Sequence, residues 1–259
     1  MCSERPFQRG ETYVGFAWVL RVRLDVGHEN LQRFDNAESV APACELRENG
    51  NTLNTIRIKH SEGTDMTVLK RDTHYHTYAD YLTWSRSYGD ELVDGTAYVR
   101  EPPAPTDWHQ AFVGELYRQI ANALEDKPCR VRIAPYDVRL PKSTEADDQV
   151  DTVVQPDVLI VSDLKKLDAR GMRGAPDWVA EVLSPSTARH DKTVKLSAYE
   201  RAGVREVWLV EPIDRTLMIY RLKAGHYGRA TLLELKGQTQ IIAVPGVTID
   251  WARVLARML

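Results

Sequence analysis

Hydrophobic and polar positions follow no sustained period over residues 1–65, and from Thr77 onward they fall into helical and strand patterns in turn. Thr77-Tyr78-Ala79-Asp80 reads as a helix start, with a threonine N-cap and an acid three residues on. It predicts a helix that ends near Tyr88-Gly89. Residues 91–99 read as a hairpin turning on Asp94-Gly95. Pro102, Pro103 and Pro105 mark a linker, after which Thr106 or Asp107 caps a second helix over residues 109–124. At about 100° per residue this helix gathers Phe112, Val113, Leu116, Tyr117, Ile120, Ala123 and Leu124 on one arc. His109 lies in the middle of that arc, whereas Glu115 falls opposite and is expected to face solvent.

Strand patterns follow over residues 130–134, 136–140 and 156–161. A loop is expected over 163–176, then a strand over 177–183 and a helix over 186–202 that stops at Gly203. Strands over 205–210 and 216–222, short strands between 227 and 249, and a helix over 251–259 complete the chain. Helices alternating with strands define an α/β core, a mixed central sheet flanked by helices.

Composition narrows the class. The chain has 259 residues, 43% hydrophobic and 27% charged, with net charge −3. That excludes a disordered or collagenous chain. No apolar run approaches the ~18 residues of a membrane span, so no membrane partner is expected. Residues 14–20 lack the flanks of a signal peptide. Cys2, Cys44 and Cys129 form no paired framework, which fits a reducing, cytoplasmic setting. The stretch 45–63 is polar, with one hairpin signal at Asn49-Gly50. Residues 1–65 are therefore expected to be a poorly packed extension, with Met66 as an alternative start, ahead of a domain over 66–259.

Two carboxylates carry the chemical signal. Asp157 follows Pro156 and opens the apolar run Val158-Leu159-Ile160-Val161; Glu181 sits inside the apolar run from Trp178 to Leu183. An acid inside an apolar strand is costly unless it is paired or binds a metal. Either acid alone reads more readily as a strand-end acid at the surface or a buried acid paired with arginine. The helix that follows shifts the balance. Its inner arc holds Val194, Leu196, Ala198, Tyr199 and Ala202, and also Asp191 and Lys195. A lysine facing a sheet calls for an anion. One reading is an Asp191–Lys195 pair at i,i+4; the other brings Lys195 to Asp157 and Glu181. Lys192, at the edge of the arc, is the second choice. Two carboxylates and a lysine suit metal-assisted phosphodiester hydrolysis.

Pro156-Asp157 followed by Glu181-Val182-Leu183-Ser184-Pro185-Ser186-Thr187 resembles the PD-(D/E)XK nuclease superfamily, and more narrowly its Uma-two group of restriction endonucleases. Tyr78-Ala79-Asp80-Tyr81-Leu82 is similar to the opening helix of the group, 91–95 to its acidic hairpin, and His109 to the histidine starting its next helix. Asp191, Lys195, Tyr199 and the run 203–212 resemble its closing signature. The likeness covers roughly residues 75–250. It departs from the superfamily pattern at Leu183, where a lysine is usual; in this group the lysine sits on the next helix, here Lys195.

The resemblance implies a restriction endonuclease-like core and a Mg2+-dependent endonuclease acting on DNA, with Mn2+ able to substitute. It implies that Asp157 and Glu181 hold the metal with the Val182 backbone carbonyl, and that Glu91 is a supporting carboxylate. It also implies a homodimer, because two cuts take two sites. Two further readings stay open: Glu91 as a strand-edge acid paired with a surface arginine, and His109 as a satisfied core histidine rather than a catalytic contact to phosphate or water. Arg130, Arg132, Arg139 and Lys142, and Lys165, Lys166, Arg170 and Arg173, are the cation clusters a phosphate backbone would use, or solvated surface. No aromatics interleave with them for base stacking. Two alternatives stand beside the DNA endonuclease. One is a non-catalytic nucleic-acid or protein binding module on the same fold. The other is a hydrolase of another phosphoester.

Overall fold

The structure is a computed structural model that describes residues 68–70, 72–84, 90–100 and 106–258. Every described residue falls within one compact unit. The expected extension over 1–65 and the hairpin at Asn49-Gly50 lie outside the described residues.

Two seven-stranded sheets carry the fold. The first is built from β1 (Val68–Lys70), β2 (Glu91–Val93), β3 (Thr96–Arg100), β5 (Val138–Arg139), β6 (Val153–Val154), β8 (Leu167–Asp168) and β9 (Gly171–Arg173), in the order β1-β3-β2-β6-β5-β9-β8. The second contains β4 (Arg130–Ile133), β7 (Val158–Val161), β10 (Trp178–Val182), β11 (Glu206–Glu211), β12 (Thr216–Lys223), β13 (His226–Tyr227) and β14 (Thr231–Glu234). Its order is β4-β7-β10-β11-β12-β13, with β14 also paired to β12. A third pair joins β15 (Gln238–Gln240) to β16 (Thr248–Asp250). Among the described residues the longer helical regions are α1 (Tyr78–Tyr81), α2 (Asp107–Ala123), a continuous run from α3 (Ala188–His190) to α4 (Leu196–Ala202), and α5 (Trp251–Leu255), beside two short 3-10 turns.

Strand β10 is the axis of the second sheet. It pairs antiparallel with β7 and parallel with β11. A parallel neighbour needs a crossover, and the α3–α4 run supplies it. Every residue of β10 is buried, as expected of a strand covered on both faces. One face (Trp178, Ala180, Val182) packs with Phe112, Leu116 and Ile120 of α2 and with Trp251. The other (Val179, Leu183) packs with Ala198, Tyr199 and Val204. Burial on this scale, at about 25 cal/mol per Å2 of apolar surface, is the main force holding the helices to the sheet.

Local chemistry fixes the ends. Thr106 caps α2 by accepting from the His109 N–H, which sets that residue in the first turn. The hairpin turns on Asp94 and Gly95, both at positive φ, as a two-residue turn between twisted strands requires. A Cβ at Gly95 would lie 2.2 Å from the Tyr75 ring, and the positive φ disfavours any side chain there. Gly203 closes α4 in the left-handed conformation.

Several expectations need correction. Among the described residues, regular structure begins at β1 rather than at Thr77. Helix α1 has its Thr77–Asp80 capping box but stops at Tyr81, because the following backbone tightens into a turn closed by the Thr83 N–H and hydroxyl on the Asp80 carbonyl. The loop over 163–176 contains β8 and β9. Glu115 is buried rather than solvent-facing. The C-terminal segment covers that side of α2: Gln119 bonds the Asp250 backbone, and Arg118 and Arg257 meet the Glu115 carboxylate. Tyr117 is correspondingly pushed to the exposed side. Arg139 belongs to no surface cation cluster: it is buried and pairs with Asp147 and Asp168. No helix among the described residues is long and apolar enough to cross a membrane.

Three tryptophans lock the core under α2. The Trp208 ring lies 5.3 Å from Trp178 and 6.0 Å from Trp251, and its Nε1 donates to Glu206. Replacing Trp208 by alanine is expected to cost about 3–5 kcal/mol in urea unfolding, from lost transfer energy and the cavity left behind. A loss under about 1 kcal/mol would show that this cluster is not the keystone of the core.

Candidate active site

Sheet register brings the two acids together. β10 and β7 pair Val179 with Leu159 and Ala180 with Val158, and one further step sets Glu181 opposite Asp157. Directly opposed residues share a face. At that step the carboxylates take over from the ladder. Asp157 Oδ2 accepts from the Val182 N–H at 2.8 Å, and the Asp157 N–H lies 3.4 Å from Glu181 Oε2. The strand end is thus closed by side chains, and both acids are held at the C-terminal end of β10.

Helix α2 adds His109 from the other face. Its Nε2 lies 3.1 Å from the Val182 carbonyl oxygen and 3.5 Å from Asp157 Oδ2. A carbonyl only accepts, so Nε2 carries the hydrogen. It bridges two oxygens of the candidate ligand set.

The crossover helix contributes the lysine. Between α3 and α4 the backbone widens into a π-helical segment, Asp191–Lys195. The Lys195 Nζ lies 2.8 Å from Glu181 Oε1, 3.1 Å from Glu91 Oε1 and 3.5 Å from Asp191 Oδ1, and the side chain is 1% exposed. Tyr199, one turn on, donates its hydroxyl to the same Glu181 Oε1. Glu91 reaches in from β2 of the first sheet. It accepts from the Gln155 N–H and from His190 Nε2, each at 2.9 Å. The structure therefore brings Asp157, Glu181, Val182, His109, Lys195 and Glu91 to one place. Glu91 meets Lys195 and His190 rather than an arginine. Lys192 lies outside the cluster, 3.8 Å from Glu211.

His190 and Tyr199 are the members that the sequence reading left out as site residues. Tyr199 sat on the inner arc beside Lys195, and that shared face was a usable signal. His190 gave none, because a regular helical wheel places it away from Lys195.

Electrostatics divide the carboxylates. Burial alone would raise Glu91, yet the Lys195 ammonium and the His190 hydrogen bond outweigh it and hold the carboxyl at about 2. Asp157 is likewise buried, but His109 and then Lys195 keep it below the usual carboxylate range. Glu181 goes the other way. Burial, joined by Asp191, Asp157 and Glu91, pushes it up to about 8 against the pull of Lys195. With this many carboxylates around one ammonium, one keeps its proton. Burial works against the charge on Lys195, and Glu181, Glu91 and Asp191 override it, holding the ammonium well above its ordinary value.

The fold is a mixed α/β fold with a restriction endonuclease-like core. The chain belongs to the Uma2 family, described as "Putative restriction endonuclease", whose profile matches residues 78–253. A solved structure described as a putative nuclease belonging to DUF820, from Anabaena variabilis ATCC 29413, shares the fold with a TM-score of 0.57. The two are 17% identical, and the match covers 71% of this chain and 99% of that one. No curated protein matches the chain.

Glu181 makes stability depend on pH in a defined window. An unfolded glutamate ionises near 4.5, while the folded carboxyl holds its proton to about 8. Between those values the native state binds more protons, so stability falls as pH rises. Glu91 acts with opposite sign, but its window lies between about 2 and 4.5. Urea unfolding with a chelator present should lose up to about 1.4 kcal/mol per pH unit across the higher window in the wild type, and less in Glu181→Gln. Identical slopes in the two proteins would contradict this assignment.

Proposed function

We propose that the site hydrolyses phosphodiester bonds in DNA as a metal-dependent endonuclease, with Mg2+ as cofactor and Mn2+ as a substitute. The observation that carries this reading is the meeting of Asp157, Glu181 and Lys195 at the end of β10, two acids in register and one buried ammonium.

The residues fit a hard cation in kind. Asp157, the Oε2 side of Glu181 and the Val182 carbonyl are all oxygen donors, the set that Mg2+ and Mn2+ prefer. Among the described residues no group of three or more His, Cys, Asp or Glu side chains is placed to hold a metal. The proposed set is consistent with that, being two carboxylates and a peptide carbonyl. When bound, the ion would supply Lewis-acid polarisation of the phosphate and a lowered pKa for a water.

The chain's own groups do the rest. Asp157 is already ionised, so it offers a ready oxygen. Glu181, which burial and the neighbouring acids keep protonated, would have to be ionised to hold the ion. Lys195 is anchored by Glu91 and Glu181, and its ammonium orients the attacking water or opposes charge developing on the phosphate. His109 holds the Val182 carbonyl and Asp157 in mutual reach from the α2 side.

Purified protein with Mg2+ or Mn2+ should nick supercoiled plasmid, and Asp157→Asn and Lys195→Ala should each lose about a hundredfold or more. Thermal melts confirm that each variant is folded, and the variants themselves control for contaminating nucleases. Folded variants that cut like the wild type would overturn the assignment. Calorimetry that finds no uptake of either ion at millimolar concentration would leave the fold as a binding module.

A further inference from the structure

Lys195 and His190 stand five residues apart on one helix, yet they meet the two oxygens of one carboxylate. Lys195 Nζ is 3.1 Å from Glu91 Oε1, and His190 Nε2 is 2.9 Å from Glu91 Oε2. At about 100° per residue, positions five apart in a regular helix point about 140° away from each other, too far to converge. Here the intervening segment Asp191–Lys195 is π-helical, and the Leu196 N–H reaches the Asp191 carbonyl, a step of five residues. The wider turn swings positions i and i+5 onto one side. Such turns are rare within helices and frequent at functional sites.

His190 is held for this contact. Its ring lies 4.6 Å from the Tyr98 ring, on the strand paired with β2, and its side chain is 8% exposed. Glu91 is ionised and only accepts, so His190 Nε2 donates. The Gln155 N–H fixes Oε1. With both oxygens engaged, the carboxylate has one orientation, and the ammonium that meets Oε1 has one position. Without the His190 donor, a buried carboxylate oxygen loses its partner, at a cost that favours rotation of the group.

We propose that His190 is a positioning residue: by gripping Glu91 through the π turn, it sets where the Lys195 ammonium stands. The proposal rests on the reading of Lys195 as the nuclease lysine, and it adds a residue two places ahead of any lysine on that helix. His190 touches no substrate in this scheme and acts only through Glu91.

The test uses the full chain, metal-free, with isotopically labelled lysine. The Lys195 ammonium resonance is followed by NMR and assigned with Lys195→Arg. His190→Leu is expected to shift or lose that resonance, and His190→Gln, which retains an N–H donor, to restore it. In plasmid nicking, His190→Leu should lower kcat by about tenfold with KM for plasmid unchanged, the pattern of a misplaced group rather than of lost binding. Should the leucine variant fail to fold, His190→Asn, whose amide is too short to reach Glu91, makes the same comparison. A folded variant without the donor whose Lys195 resonance matches the wild type overturns the proposal. If the wild-type chain does not nick plasmid, the nuclease reading fails, and the NMR arm alone still decides whether His190 places Lys195.

Discussion

A lysine ammonium buried at 1% exposure is the constraint around which this fold is arranged. Removing such a charge from water costs several kcal/mol even after relaxation, and only close partners offset it. The partners come from three parts of the chain: Glu181 from the central strand of the second sheet, Glu91 from the first sheet, and Asp191 from the lysine's own helix. No local segment could satisfy Lys195. The contact therefore forms only when both sheets and the crossover helix are in place, which makes the site a product of tertiary structure.

The same constraint explains why the cluster is asymmetric. Four carboxylates (Asp157, Glu181, Glu91 and Asp191) surround one ammonium and two histidines. Full ionisation of all four would leave excess negative charge where water cannot screen it. The structure resolves this by giving the acids unequal surroundings. Glu91 has an ammonium, a histidine donor and a peptide N–H, so it stays ionised. Glu181 has the ammonium and a tyrosine hydroxyl, but burial and then three other acids outweigh them, so it keeps its proton. Groups with pKa values driven apart in one cluster are a common sign of a working site.

Much of this was legible in the sequence because burial leaves a mark there. An acid within Trp178-Val179-Ala180-Glu181-Val182-Leu183 breaks an apolar run, and a lysine at the helical spacing of Tyr199 faces inward; both signals needed only periodicity. The alternation that placed Val179, Glu181 and Leu183 on one face, and the capped starts of α1 and α2, are local properties in the same sense. What escaped was non-local or off the regular period. Glu115 lay on the polar arc of α2, and nothing near it announced that residues from Asp250 onward would cover it. Arg139 looked like a surface cation, since its partners Asp147 and Asp168 come from separate segments, the latter in β8. His190 was hidden because a helical wheel assumes one repeat, and the chain abandons that repeat between Asp191 and Lys195.

The two oxygens of Glu181 bring the remaining geometry into one scheme. Oε1 receives Lys195 and the Tyr199 hydroxyl, both from the crossover helix, while Oε2 lies toward the Asp157 backbone on the neighbouring strand. Tyr199 is fully buried and cannot swing away, so the carboxyl plane is fixed from the helix side. One residue thereby ties the lysine to one edge of the carboxyl and leaves the other edge facing Asp157. A shorter acid at position 181 would not span both partners, since one methylene fewer draws the carboxyl back toward the strand. The residue is glutamate because it has to join a helix-borne cation to a strand-borne acid across the top of a packed sheet.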